Sequence, residues 1–402
     1  MFPRKNQLSA LAGLLLASCQ EAPVVYDPEP YEGDAFPDRS PPIAYPSRAA
    51  LVTNSLGDTV SVLDVDAMTV ADERPVGRNP VDVDGPHHVS VDEAKGVAFV
   101  ALSYPTSNVL PGPHATHGSS TTFGWVQKLS LDSLEVLGQA RVDPNPGDIV
   151  LSPDGLHVVV SHFDLQRAID NPTDLDLARA RLAVLAADTI GTDALDRRYV
   201  TTCVAPHGMV FGGDGLLYVA CYGEDVVARV DVADPSGEPE LLELGPGAGD
   251  FGAPNFGPYA LLASPDGAWI AVSNTVSDDV RFLEVATGTV DESRTLFTNG
   301  APFFPAFDAD GTTLAVVTQQ PDALRVIDMA TGEELVSREF VDDECGLPHI
   351  VVHEGPDYLV VCEGDKKAPG KVVRLDAALS LVGEATVGIY PDAIVPLGGG
   401  ER

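Results

Sequence analysis

Of the four Pro-His pairs in this chain, three stand just ahead of an apolar run: Pro86-His87, extended by His88, then Pro206-His207 and Pro348-His349; the fourth is Pro113-His114. Two of them sit in matching contexts. "CVAPHGMVFGGDGLLYVACYGEDVVARVDV" begins at Cys203 and "CGLPHIVVHEGPDYLVVC" begins at Cys345. Each sets a cysteine three residues before the pair and a second, Cys221 or Cys362, at the end of the next apolar run. Imidazoles suit borderline metals such as zinc, copper or iron, and they exchange protons near neutral pH as general acids or bases. The plainer alternative is a Pro-His pair that serves a backbone hydrogen bond or lines a wet channel. Which reading holds depends on whether the fold brings the histidines to one place.

The elements that must position them are strands. "AALVTNSLGDTVSVLDVDAMTV", from Ala49, alternates apolar and polar residues around a Gly-Asp turn, the pattern of a β-hairpin. Seven such hairpins occur, among them "LYVACYGEDVVARVDV", "WIAVSNTVSDDVRFLEV" and "TLAVVTQQPDALRVIDM". A proline followed by a short strand precedes most of them. The matching prolines are Pro86, Pro146, Pro206, Pro258, Pro302, Pro348 and Pro391, and four copies share an Asp-Gly turn at one offset (Asp154, Asp214, Asp266, Asp310). All-strand repeats of about 43 to 60 residues imply an all-β propeller with four antiparallel strands per blade. The first hairpin lacks a proline strand, and the strand at Pro391 lacks a hairpin. Joining them completes one blade from both termini and removes an open sheet edge. The expectation is a seven-bladed β-propeller over residues 48–397, closed by a blade shared between the N- and C-terminal strands.

The segments "LVTNSLGDTVSVLDV" and "AVSNTVSDDVRFLEV" resemble the YVTN family of propeller repeats of bacterial and archaeal surface proteins. The resemblance spans Ala49 to Leu397 and implies the propeller fold. It implies no single chemistry, because that family and its structural relatives include binding scaffolds, lactonases, lyases and electron-transfer subunits. The first two complete blades depart from it with the insertions "SYPTSNVLPGPHATHGSSTTFG" and "HFDLQRAIDNPTDLDLARAR".

In such blades the innermost strand starts at one face of the ring and the second strand returns to it. His87, His207 and His349 then occupy equivalent places at the mouth of the central channel, with His88 adjacent. His114, His117 and His162 fall on the same face, and His157 and His353 toward the other. The remaining blades contribute Asp148, Tyr259, Phe303 and Asp392 to the mouth. His87, His207 and His349 are the candidate metal ligands. They belong to the first, third and sixth complete blades, a spacing around a channel that works against convergence on one ion. The same register sets Cys203 beside Cys221 and Cys345 beside Cys362. Each disulfide closes a short loop, worth roughly 3 kcal/mol in the loop-entropy model.

The ends place the protein in a cell. "MFPRKNQLSALAGLLLASCQEAP" has a basic head and an apolar run too short to span a membrane, so residues 1–18 read as a secretory signal. Leu16-Ala17-Ser18-Cys19 resembles the bacterial lipobox, which implies lipidation of Cys19, and Gln20 in the next position points to the outer membrane. Residues 19–47, rich in proline and acid, read as an extended tether, and 398–402 as a tail. Four cysteines besides Cys19 are an even number in an exported chain, where disulfides are permitted. The net charge of -36 excludes nucleic acid and anionic lipid heads as natural partners. Membrane contact is expected through the lipid only, and the protein as a monomer.

No Cys-x-x-Cys-His occurs, which excludes covalent haem, and no Gly-x-Ser-x-Gly elbow occurs. Asp82 to Gly85 and Asp308 to Gly311 lack the distal acid of a calcium loop and read as turns. The glycine-rich stretch Gly245 to Pro258 reads as a flexible lid or rim loop, and Lys366, Lys367 and Lys371 as a solvated basic loop. The leading expectation is a scaffold that binds a ligand or protein at its histidine-bearing face and requires no cofactor. One alternative is a metal-assisted lyase or lactonase-type enzyme using zinc, copper or iron, with a channel-mouth histidine as general base. Another is an accessory subunit that docks a redox partner.

Overall fold

Each repeat's proline opens or nearly opens a strand. The computed structural model describes residues 40–78, 83–104, 118–234, 237–341 and 344–398. Strands Pro86–Asp92, Pro146–Leu151, Pro206–Phe211, Pro258–Ala263, Ala301–Pro302, Pro348–Glu354 and Pro391–Leu397 each form the edge of a separate antiparallel sheet. A proline donates no ladder hydrogen bond, so the start of an edge strand is where it fits. The seven sheets, each of four or five strands, are the blades of a seven-bladed β-propeller. We number blades 1 to 7 in the order of these innermost strands.

Blade 7 closes the ring as expected. Its order runs Thr69–Pro75, Thr59–Asp64, Ala49–Asn54, Pro391–Leu397, with Ala49 opposite Leu397 and Leu51 opposite Val395. The core is divided into wedges between neighbouring blades. Val159, Leu182 and Val184 of blade 2, for example, pack on Met209, Leu217 and Val219 of blade 3. Middle strands such as Val97–Leu102 and Asp357–Cys362 are therefore buried along their whole length, while the outer strand Thr69–Pro75 alternates.

Both disulfides form, Cys203–Cys221 and Cys345–Cys362, with Cα atoms 5.8 and 5.0 Å apart. Cys221 lies opposite Pro206 and Cys362 opposite Pro348, so each bond clamps the entry of a Pro-His strand. The blade 2 insertion forms the helices Leu165–Asp170 and Leu175–Ala178, each started by an aspartate, Asp164 or Asp174, whose carboxylate accepts a backbone N–H of the first turn. Ahead of the first strand, Ile43 is buried and its N–H bonds to Asp132 O at 2.8 Å, docking this segment on blade 1.

Two sequence expectations need correction. The stretch from Gly245 to Pro258 is anchored: buried Asp225 accepts the N–H groups of Gly249, Asn255, Phe256 and Gly257 at 2.7 to 3.1 Å. One carboxylate outside the stretch satisfies four of its donors, which composition does not reveal. Lys366 is also engaged, with its Nζ 3.1 Å from Tyr390 Oη and 3.5 Å from Glu363. Asp308 accepts from Thr312 and Thr313 N–H, as a turn does. The signal segment, Cys19, Asp82, His114 and His117 lie outside the described residues.

Candidate functional site

A repeated backbone device aims the first side chains of each innermost strand. The residue before the opening proline is left-handed in six blades: Gly85, Asn145, Ala205, Gly257, Leu347 and Tyr390, with φ between 49 and 70°. For Ala205, Leu347 and Tyr390 this costs about 1 kcal/mol or more apiece. Such conformations persist where the surroundings over-determine them, as they do at functional sites. A β-bulge follows. In blade 1, Pro86 faces Leu102 and Val89 faces Val100, so the inner strand carries one extra residue. Comparable shifts follow Pro146, Pro206, Pro258, Pro348 and Pro391. A bulge re-aims side chains, and in blade 1 the His87 and His88 rings meet 4.5 Å apart.

The first residues after the prolines make a closed ring around the axis. The His87 Nδ1 bonds Asp392 Oδ2 of the neighbouring blade 7. The His349 Nδ1 lies 3.0 Å from Asp392 O and 3.2 Å from Asp392 Oδ1. The His207 ring stacks on Tyr259 at 4.0 Å, and Phe303 lies between Tyr259 and His349 at 5.3 and 5.5 Å. Gly147 holds the blade 2 place, where a Cβ would come within 3.1 Å of the His207 ring. Hydroxyls back this ring: Thr53 bonds His87 O, Ser161 bonds His207 O at 2.7 Å, and Ser55 Oγ lies 2.8 Å from Asp392 Oδ2.

The second residues fill the centre. The His88 ring comes within 5.7 Å of His207 and 6.1 Å of His349. Its Nδ1 is 2.7 Å from Asp148 Oδ1, and Asp148 also accepts from Met209 and Ile149 N–H at 2.9 and 2.8 Å. Phe304 is carried inward because Pro305 interrupts the blade 5 strand. Its N–H bonds His349 O, its carbonyl accepts Val351 N–H, and its ring lies 5.1 Å from His88.

The predicted site residues are thus brought together, and the geometry differs from the expected mouth. His87, His207, His349, Tyr259 and Asp392 are fully buried, and His88, Asp148 and Phe303 nearly so. The proposed trio of His87, His207 and His349 is not the set that converges. One donor atom each of His87, His88 and His207 lies within 4.8 Å of the others, and so do donors of His88, His349 and Asp392. The blade spacing that separates His87, His207 and His349 is bridged by His88, whose ring lies 4.5 Å from His87, 5.7 Å from His207 and 6.1 Å from His349. His162, on the same face, is buried in the wall with Nδ1 on Arg181 O, and His157 and His353 lie in other surroundings.

At two of the histidines the electrostatics favour neutral imidazole, the form that binds metal. Burial holds His87 below the ordinary imidazole value and His207 well below it. His349 is raised: burial alone would lower it, but the bond to Asp392 and the charges of Glu363 and Asp392 outweigh that. Burial would raise Asp148, yet His88 and the two backbone donors bring it below the usual carboxylate range. A tetrahedral ion with nitrogen ligands needs donor atoms about 3.4 Å apart. The donor set suits zinc, copper or iron.

Sequence reasoning missed Phe304 and Glu363 and gave His88 only a neighbour's place. A usable signal exists at the second place after each proline. It reads His88, Asp148 and Phe304 in blades 1, 2 and 5, against Gly208, Ala260, Ile350 and Ala393 elsewhere. Glu363 follows Cys362 and lies 3.7 Å from the His349 Nδ1. Two surface clefts, of about 260 Å³ beside His157 and Arg198 and about 440 Å³ beside Phe297 and Arg325, are lined by none of the residues of this cluster.

No protein-family model matches the chain, and no curated protein matches it in sequence. Many solved structures share its architecture. The periplasmic gluconolactonase PpgL of Pseudomonas aeruginosa superposes with a TM-score of 0.61 at 18% identity, covering 87% of this chain and 99% of that one. A functionally unknown protein from Desulfotomaculum acetoxidans gives 0.61 at 12% identity, with coverage of 87% and 99%. Virginiamycin B lyase from Staphylococcus aureus gives 0.53 at 15% identity, covering 76% and 85%. At these identities the likeness is one of fold: the chain is a seven-bladed β-propeller similar to gluconolactonase-like propellers.

Proposed function

We propose that this protein is an extracytoplasmic propeller, held at the outer membrane by a lipid on Cys19, whose axial histidines bind one transition-metal ion for metal-assisted hydrolysis or elimination on a small substrate. One observation carries the metal. The Nδ1 atoms of His87, His88 and His349 all face oxygen, on Asp392, Asp148 and the Asp392 backbone respectively. At His88 this fixes the ring and leaves Nε2, which has no hydrogen-bond partner among the described residues, as the donor, the arrangement of metal-binding histidines. An ion there supplies Lewis acidity toward a substrate oxygen. The chain's own residues do the rest: Asp148 and Asp392 orient imidazoles, while Phe303, Phe304 and Tyr259 keep the surroundings dry. The gluconolactonase and lyase neighbours lend support to the reaction class only. The full-length protein, loaded with zinc, copper or iron and desalted, is expected to retain one ion per chain. His88→Ala is expected to lose it, together with lactone hydrolysis, at an unchanged circular dichroism spectrum. A wild-type protein that retains none of the three metals rejects the proposal.

The scaffold reading keeps one specific support. Ile169 and Leu177 are 55% and 54% exposed on the blade 2 insertion, which follows His162 at the histidine-bearing face. Apolar side chains on such a loop suit a protein partner.

A further inference from the structure

We infer that the axial cluster offers a single ion two mutually exclusive positions that share His88, one lined by imidazoles alone and one completed by a carboxylate. The inference rests on the metal reading above and adds the number of ions and the selection among them. His88 is the common member of both converging donor sets, His87 with His207 and His349 with Asp392. Its Nδ1 is committed to Asp148 at 2.7 Å, and Asp148 is itself held by two backbone N–H groups. The ring therefore cannot turn over without breaking that arrangement. Only Nε2 remains, and this buried atom has no hydrogen-bond partner among the described residues. An imidazole nitrogen has one lone pair, so one ion at a time can use it.

The two positions differ in chemistry. His87, His88 and His207 form an all-nitrogen set, suited to copper and zinc. His88, His349 and Asp392 add an anionic oxygen, which favours a harder ion such as manganese. Asp392 Oδ2 is held by His87 and Ser55, so Oδ1, 3.2 Å from His349 Nδ1, is the oxygen that would meet an ion, and His349 Nδ1 would still keep the Asp392 carbonyl at 3.0 Å. Phe304 packs against both arms and their shared member, with its ring 5.9 Å from His207, 5.3 Å from His349 and 5.1 Å from His88.

The test loads the full-length wild-type protein with manganese(II) and titrates in copper(II), reading released aqueous manganese by electron paramagnetic resonance. The expected result is saturation at one manganese per chain and release of one manganese for each copper bound. Copper and manganese held together would overturn the inference while leaving the metal reading intact. No binding of either ion, nor of zinc or iron, would remove both. Variants locate the arms: His207→Ala is expected to weaken copper by about 10-fold or more and to leave manganese within about twofold, and His349→Ala to do the reverse. Equal losses of both metals in both variants, with unchanged melting temperatures, would mean one merged site and overturn it. The wild-type exchange decides the matter even if a variant fails to fold.

Discussion

His88 and Asp148 stand two places after their prolines, in neighbouring blades, and between them fix the one imidazole that reaches the middle of the axis. Most other polar groups in this region act as struts. His162 illustrates a buried histidine without a place in the cluster. Burial pulls its imidazole down to about 4 from 6.5. Between those values the unfolded chain binds a proton that the native chain does not. Stability contributed by His162 is therefore full above pH 6.5 and is lost as the pH falls toward 4, by roughly 3 kcal/mol at the acid end. Asp58 and Asp164, raised from 3.8 to about 6 mainly by burial, act with the opposite sign over most of that range, from about 6 downward. They are common to wild type and variant. His162→Gln is thus expected to lose less stability than wild type between pH 7 and pH 5 in urea unfolding, and equal losses would contradict this account.

At the scale of elements, the left-handed residue, the proline and the bulge form one unit, repeated in six blades with different side chains mounted on it. The unit sets direction, and the sequence chooses what is presented. Gly147 shows how tight the mounting is. A Cβ there would sit 3.1 Å from the His207 Cδ2 and 3.3 Å from the Phe163 Cβ, so a branched side chain must displace the imidazole. Gly147→Val is expected to cost about 1–3 kcal/mol through overpacking. It is also expected to weaken metal binding, because His207 leaves its place. Urea unfolding and metal titration check the two effects, and full affinity with unchanged stability would show that the ring has room to spare. The disulfides belong to this scale as well, since each pins the entry of a histidine-bearing strand opposite its opening proline.

At the scale of the molecule, closure holds the ring of blades together. The innermost strand of blade 7 is Pro391–Leu397, paired with Ala49–Asn54 from the other end of the described chain, and it carries Asp392 into the cluster. Deleting residues 391–397 leaves an unpaired strand edge and an exposed apolar wedge. The expected outcome is aggregation or expansion on gel filtration with loss of β-sheet signal. A compact, monomeric product would show that six blades and an open seventh suffice. Among the described residues no helix is long and apolar enough to cross a membrane.

The blade count, the shared blade and both cysteine pairings were legible in the residues because each depends on periodicity and register, which are local and repeat along the chain. Seven opening prolines and a strand pattern at each end leave few other ways to satisfy the sheet edges. The face bearing His87, His207 and His349 was legible for the same reason. Tertiary structure alone decided that the axis is filled, that His88 is its hub, and that Phe304 and Glu363 join it. Those outcomes turn on one extra residue in six of the seven inner strands, on a strand broken at Pro305, and on packing between blades distant in sequence. A one-residue shift at a bulge reverses where a side chain points, and no periodic pattern in the chain records it.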